Sequence, residues 1–206
     1  MLKIWGRTSS INVQKVMWTV AELGLPHERI DAGGQFGGLD TAAYAGLNPN
    51  RLIPVIEDGA TVVWESNAIV RYLAARYGAG SLWSEEPGKR SEADRWMDWQ
   101  LTVLQPLIGP IFIGLIRTPP ERRDMAAITA SADRLGQAML ILDGHLASRP
   151  FVAGDQLTMG DIPVGCVCWR YANLDVARPD LPHIAAYRDR LEQRASYRAQ
   201  VMLPLV

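Results

Sequence analysis

Three short stretches of the 206-residue chain set polar side chains where a helix or a strand begins, and such places hold small charged ligands. The first is RTSSINVQK, residues 7–15, in which Thr8, Ser9, Ser10 and Asn12 line the turn between the apolar KIWG and a helical pattern. A hydroxyl there donates a hydrogen bond to an anion held near the first helical N–H groups, where the helix dipole also favours negative charge. The same residues suit plain N-capping. The second stretch is Glu65-Ser66, with Ser66 expected as the N-cap of a helix over Asn67–Tyr77. Exposed N–H groups and the serine take a carboxylate, and Glu65 takes an ammonium, so the pair suits the amino-acid end of a zwitterion. Capping by Ser66 beside a solvated Glu65 is the plainer alternative. The third is LIPVIE, residues 52–57. Pro54 cannot donate to a ladder, so the start of its strand is a tolerable place for it. A cis bond there would turn the N–H and C=O of Ile53 outward, free to pair with a peptide-like ligand as an added strand does. A trans proline opening a strand is the other reading.

Other reactive residues are sparse. His27, His145 and His183 lie far apart, and none has a second histidine or a cysteine at metal-ligand spacing. Cys166 and Cys168, two apart on a helical segment, point away from each other and read as small buried hydrophobes. No Ser/His/Asp arrangement supports a serine nucleophile. A formal net charge of −1 gives no argument for nucleic acid or an anionic membrane. The longest apolar stretch, Leu107–Ile116, is short for a bilayer and broken by Gly109 and Pro110. MLKIWG reads as a strand, not a leader, so the expected compartment is cytoplasmic.

The elements that must position these groups follow from periodicity. After KIWG, Val13, Val16, Met17, Val20 and Leu23 share a helical face that stops at Gly24. HERID suits a strand, AGGQFGG a loop and Thr41–Ala45 a short helix. IPVIE and TVVWE are strands joined by Asp58-Gly59, a hairpin signal, and the next helix turns Ile69, Val70 and Leu73 inward. The order βαβαββα over residues 1–79 predicts an α/β, thioredoxin-like sheet. A polar, turn-rich linker is expected at 80–89, and an all-helical part at 90–206. That part reads as Glu92–Arg117 with kinks at Pro106 and Pro110, Glu121–Leu146 after Pro119-Pro120, a helix opening at Thr158-x-x-Asp161, and Ile184–Gln193. Thr158 and Asp161 form a capping box in which the threonine oxygen takes an early helix N–H and the carboxylate reaches back, with Leu157 and Ile162 as a staple.

Taken in order, Ser10, Asn48-Pro49, Ile53-Pro54, Glu65-Ser66 with Ile69 and Tyr72-Leu73, and Thr158-x-x-Asp161 resemble a cytosolic glutathione S-transferase across essentially the whole chain, of the theta-like bacterial type. The NP…IP…ESNAIVRYL and GDQLTMGDI runs are the most specific parts. The resemblance implies a thioredoxin-like glutathione-binding domain, a helical C-terminal domain and a cytoplasmic homodimer that binds neither nucleic acid nor membrane. It implies addition of the glutathione thiolate to a small hydrophobic electrophile, as in detoxification, with glutathione as co-substrate and no metal. It makes Pro54 cis, pairs Ile53 with the cysteinyl backbone, and puts Glu65 and Ser66 on the γ-glutamyl end. The activating hydroxyl comes from the first turn. Theta-like members have Ser-x-Pro there and Ser10-Ile11-Asn12 aligns, so Ser10 is the expected activator, with Ser9 and Asn12 as rivals. No tyrosine precedes Tyr44 and no cysteine precedes Cys166, which disfavours tyrosine- and cysteine-type sites; Ile11 replaces the cysteine of zeta-like isomerases. Many relatives carry Lys, Arg or Gln where this chain has Leu52. Either Arg51 takes over contact with a carboxylate or glutathione binds less tightly, and Gln35 is a further candidate for the glycine end. The electrophile pocket would lie between the domains, with Leu104, Leu107, Ile111, Ile113 and Trp169 as candidate walls. The same fold also serves non-catalytic ligand-binding or interaction proteins, and specialised dehalogenases or ether-cleaving enzymes. Ser10 together with Ile53, Pro54, Glu65 and Ser66 favours the enzyme.

Overall fold

In the computed structural model, which describes residues 1–206, four short strands make one mixed sheet: β1 (Leu2–Trp5), β2 (His27–Ile30), β3 (Val55–Asp58) and β4 (Thr61–Trp64). Their order is β2-β1-β3-β4. β1 runs parallel to β2, with Leu2 opposite His27, and antiparallel to β3, with Ile4 opposite Ile56. A parallel pair needs a crossover, and α1 (Ile11–Glu22) provides it. β3 and β4 form the expected hairpin through Gly59, whose φ of +62° a glycine adopts freely. α1 and α3 (Ser66–Tyr77) cover one face, where Val13, Val16, Val20, Ile69 and Leu73 close on Ile4 and Ile56. α2 (Ala42–Leu47) covers the other, with Tyr44 packed on Ala32 and Val55 and edge-on to Trp5 at 6.0 Å.

The remaining chain is helical. α4 (Pro87–Trp99) starts inside the stretch expected as linker. The Glu86 carboxylate accepts from the Gly88 and Lys89 N–H groups at 2.7 and 2.6 Å, and Pro87 sits in the first turn, where its missing N–H costs least. Pro106 and Pro110, expected as kinks, lie within a continuous helix. The helix runs on through a π-turn (Gln100–Leu104), α5 (Gln105–Phe112) and a second π-turn (Ile113–Arg117). Thr102, whose carbonyl would meet the Pro106 ring in a regular helix, lies in the first wide turn. The continuous run Pro87–Arg117 is longer than the apolar stretch alone suggests, and its length and composition would suit a membrane span. Here its Leu104, Ile108 and Ile111 are buried in the helical core.

α6 (Met125–Leu146) begins four residues later than expected, because Pro120–Arg122 form a 3-10 turn and Asp124 caps the Ala127 N–H at 2.9 Å. α7 (Asp161–Ala172), α8 (Pro182–Glu192) and α9 (Ala195–Gln200) complete the fold; α9 is too short to have shown in the periodicity. Cys166 and Cys168 are buried free thiols whose pKa values burial pushes up to about 12, which makes them inert packing groups.

α1 belongs to both halves. Ile11 and Trp18 face the large helical core, while Val13, Val16, Met17 and Val20 face the sheet. Trp18 meets Tyr197 edge-on at 4.8 Å, and a Cβ built on Gly165 would lie 3.0 Å from the indole, so α7 needs a glycine there. The Glu22 carboxylate at the end of α1 accepts from Trp18 at 3.4 Å and from Arg194 and Ser196 beside α9.

Candidate functional site

The three polar stretches meet at one end of the sheet, where the inner strands β1 and β3 lie side by side. Gly6 ends β1 with φ +148°, and a Cβ there would lie 2.5 Å from Val13 Cγ2 and 3.4 Å from Ile53 Cβ. The first turn is thereby brought against the cis Ile53–Pro54 bond. Ser10 takes the N-cap position of α1, with φ −82° and ψ 123°. Its carbonyl accepts from the Gln14 N–H at 2.9 Å, its hydroxyl makes no capping bond, and the residue is half-buried. That leaves a hydroxyl at the positive end of a twelve-residue helix with its proton uncommitted. Ser9 is half-buried in the same turn. Asn12 is turned away from it, and its Oδ1 accepts from the Ser66 hydroxyl at 3.3 Å, which ties the start of α1 to the start of α3.

The segment before Pro54 is held from beneath. The Leu52 carbonyl accepts from Tyr44 Oη and Asn48 Nδ2, both at 2.9 Å, while the Leu52 side chain is 59% exposed. The N–H and C=O of Ile53 make no backbone hydrogen bond, as an edge waiting for an added strand requires. Arg51 has φ +54° and leans on Asp40 at 3.5 Å, an exposed pair of small energetic weight. Gln35 is exposed in the 3-10 turn Gly34–Phe36.

The cap of α3 differs from expectation. Glu65, not Ser66, occupies the cap position, with φ +69°, and it makes no side-chain capping bond. A non-glycine residue in the left-handed region is uncommon, and such residues collect at ligand sites. Ser66 is the first helical residue and 5% exposed; besides its bond to Asn12, its oxygen accepts from Lys15 Nζ at 3.5 Å. Lys15 is a charged residue beside the site that sequence reasoning passed over. It is fully buried, and burial pushes its pKa down to about 8.

The box at α7 also differs in part. Asp161 Oδ2 reaches back to the Thr158 N–H at 2.8 Å, as expected, but the threonine hydroxyl donates to the same oxygen at 3.1 Å instead of accepting from the helix. Asp161 Oδ1 accepts from the Val152 N–H at 2.9 Å and from Tyr187 Oη at 3.0 Å. Burial raises the Asp161 pKa to about 6 against the pull of these four donors.

Of the candidate pocket walls, Leu104, Leu107 and Ile111 are core residues, at most 9% exposed. Ile113 is exposed. Trp169 donates to the Leu203 carbonyl at 3.4 Å and lines a cavity of about 480 Å³ with Ile116, Asn173 and residues 202–205. Beside it, Arg170 and Arg117 both sit over the Phe112 ring, at 3.9 and 4.9 Å.

Comparison with known proteins gives consistent matches. The family profile for the glutathione S-transferase N-terminal domain matches residues 9–76, and that for the C-terminal domain matches residues 125–190. Glutathione S-transferase GstB of Escherichia coli (strain K12) is 41% identical, with 100% of each chain covered. Glutathione S-transferase 3 of Zea mays is 26% identical over 97% of this chain and 93% of its own. Among solved structures, the theta class glutathione S-transferase from Xanthomonas axonopodis pv. citri with glutathione bound superposes with a TM-score of 0.96 at 42% identity, covering 100% of this chain and 99% of that one.

Proposed function

The chain belongs to the glutathione S-transferase family, and on that premise we propose that it adds the glutathione thiolate to a small hydrophobic electrophile, with the thiolate held by the Ser10 hydroxyl. The observation that carries the assignment of residues is the convergence at the end of β1 and β3. Gly6 sets the first turn against Ile53 and the Ser66 hydroxyl reaches Asn12 beside it, so the unpaired backbone of Ile53, the free hydroxyl of Ser10 and the Glu65-Ser66 pair gather about the start of α1. Ile53, presented by cis Pro54, pairs with the cysteinyl backbone. Ser66 and the α3 N–H groups take the γ-glutamyl carboxylate, and Glu65 takes its ammonium. Arg51, released from its weak pair with Asp40, and Gln35 serve the glycine carboxylate.

The chemistry fits the available energy. A free thiol has a pKa near ~8.5, so only a few per cent is ionised at neutral pH. Lowering that pKa by about two units takes roughly 2.7 kcal/mol of selective thiolate stabilisation. One hydroxyl bond to a charged acceptor supplies about 1.5–3 kcal/mol, and the α1 N-terminus adds to it. Acceleration beyond full ionisation must come from holding the electrophile close.

Residues 1–79 would form the glutathione-binding domain, with 80–89 leading into the helical domain. The same reading makes the protein a cytoplasmic homodimer in detoxification; Val62 and Trp64, exposed on the edge strand β4, are apolar surface that a second copy would cover. Ser66→Ala and Glu65→Gln are each expected to raise the glutathione KM about tenfold, the equivalent of one lost polar contact, with kcat at saturating glutathione nearly unchanged. Steady-state kinetics with varied glutathione, backed by retention on glutathione-agarose, checks this. Unaltered KM in both variants rejects the placement of the γ-glutamyl end.

A further inference from the structure

Lys15 presents an unusual problem for its helix. It is 0% exposed, and its ammonium has no carboxylate within ion-pair distance. A buried ammonium is normally paired, because desolvation is costly. This one has only neutral acceptors: Gln100 Oε1 at 3.0 Å, Asn67 Oδ1 at 3.4 Å and Ser66 Oγ at 3.5 Å. The two amides are themselves oriented. Asn67 Nδ2 donates to the Met97 carbonyl at 2.9 Å, and Gln100 Nε2 donates to Gln105 Oε1 at 3.1 Å, so both present oxygen to the amine. Gln100 opens the π-turn that interrupts the long helix, a distortion frequent at functional sites. α1, α3 and the π-turn are thus built around a cation with no carboxylate in direct contact.

The one hydroxyl among these acceptors is that of Ser66. An oxygen that already accepts from an ammonium has its proton left to offer, so Ser66 is set as a donor; at present it gives that proton to Asn12 at 3.3 Å. A donor backed by positive charge is what a carboxylate binds to. We propose that Lys15 is a positioning residue for glutathione: it fixes the Ser66 hydroxyl as a donor and supplies the charge against which the γ-glutamyl carboxylate is bound. The proposal rests on the assignment of that carboxylate to Ser66.

The groups facing Lys15 are few. Glu65 at the start of α3 favours the charged form, Arg170 on α7 disfavours it, and Cys166 on α7 stays a neutral thiol. Burial is the largest influence and brings the amine to about 8. A carboxylate arriving at Ser66 favours the ammonium, so the Lys15 pKa rises on binding. Affinity is therefore flat below about pH 8, and it weakens above that as the free protein must take up a proton to bind.

The test uses S-methylglutathione, which has no thiol to titrate. Isothermal titration calorimetry at pH 7 and pH 8.5, in two buffers of different ionisation enthalpy, reads both Kd and proton uptake. The wild type is expected to take up more proton at pH 8.5 than either Lys15→Met or Lys15→Arg. Lys15→Met should bind about tenfold more weakly at pH 7, whereas Lys15→Arg, which keeps the charge at every pH, should stay within about threefold and lose the added pH dependence. In turnover, Lys15→Met should raise the glutathione KM and leave kcat at saturation. Wild type without proton uptake at pH 8.5, uptake undiminished in Lys15→Arg, or a folded Lys15→Met with unchanged Kd would overturn the role of Lys15. Failure of Ser66→Ala and Glu65→Gln to weaken S-methylglutathione binding would instead overturn the site assignment beneath it.

Discussion

Ser10→Ala is expected to lower kcat/KM at pH 7 by about ten- to thirtyfold and to raise the pKa of bound glutathione toward its free value. The upper bound follows from ionisation alone. A few per cent of a free thiol is thiolate at neutral pH, so full ionisation gains about thirtyfold at most. A low-pKa thiolate is also a poorer nucleophile, which trims the advantage. The defect should shrink as pH rises and nearly vanish above about pH 9, where the thiol ionises unaided. Glutathione affinity should change little, because the backbone of Ile53 and the Glu65-Ser66 pair are untouched. A pH-rate profile paired with the ultraviolet absorbance of the bound thiolate checks both parts. Ser9→Ala and Asn12→Ala are the controls. Asn12 is committed to Ser66, so its loss should appear in KM before it appears in the thiolate pKa. An unchanged profile in Ser10→Ala, with a shift in Ser9→Ala, would move the role one residue back.

Asp161→Ala is expected to cost about 3–5 kcal/mol of stability, seen as a fall of roughly 10 °C in Tm by calorimetry. The carboxylate is fully buried and collects four donors from three segments: the Val152 N–H, the Thr158 N–H and hydroxyl, and Tyr187 Oη. Alanine leaves these groups buried without partners, at about 1–3 kcal/mol for each that water cannot reach. Asp161→Asn should be milder, about 2 kcal/mol, because only one side of the amide turns from acceptor to donor. A Tm within a degree of wild type for Asp161→Ala would mean that the 151–158 loop is held by its apolar contacts, with Val152 and Leu157 carrying the segment.

How far these features were legible in the sequence depended on whether their causes were local. The hairpin at Asp58-Gly59, the strand-opening Pro54 and the apolar faces of α1 and α3 each follow from residues within a few positions, and each was readable. The cap of α3 was misread by one residue. Ser66 looks like a capping serine until Lys15, fifty-one positions away, draws its oxygen down into the protein. Lys15 itself left a signal, the one charged residue in the mostly apolar run VQKVMWTV, but on spacing alone a long charged side chain reads as solvated. Pro106 and Pro110 were read as kinks from the missing N–H; the wide turn beside Pro106, which keeps the helix continuous, has no signal in the sequence. Three of the five candidate walls are core for a related reason: Leu104, Leu107 and Ile111 have the apolar character of a binding surface, and only packing within the helical core tells core from cleft.

The double allegiance of α1 has a consequence for how this molecule fails. A helix with Trp18 and Ile11 in one core and Val13, Val16 and Val20 in the other cannot stay folded when either is lost. The two halves are thus coupled as a single cooperative unit, despite their different architectures. Ser10 stands at the N-cap of that helix, so damage in the helical half, even as far away as α9 and its Glu22 contacts, would take the proposed thiol activator with it. On the proposed assignment, an opened molecule would keep no stranded half-site that ionises glutathione with nothing to receive it.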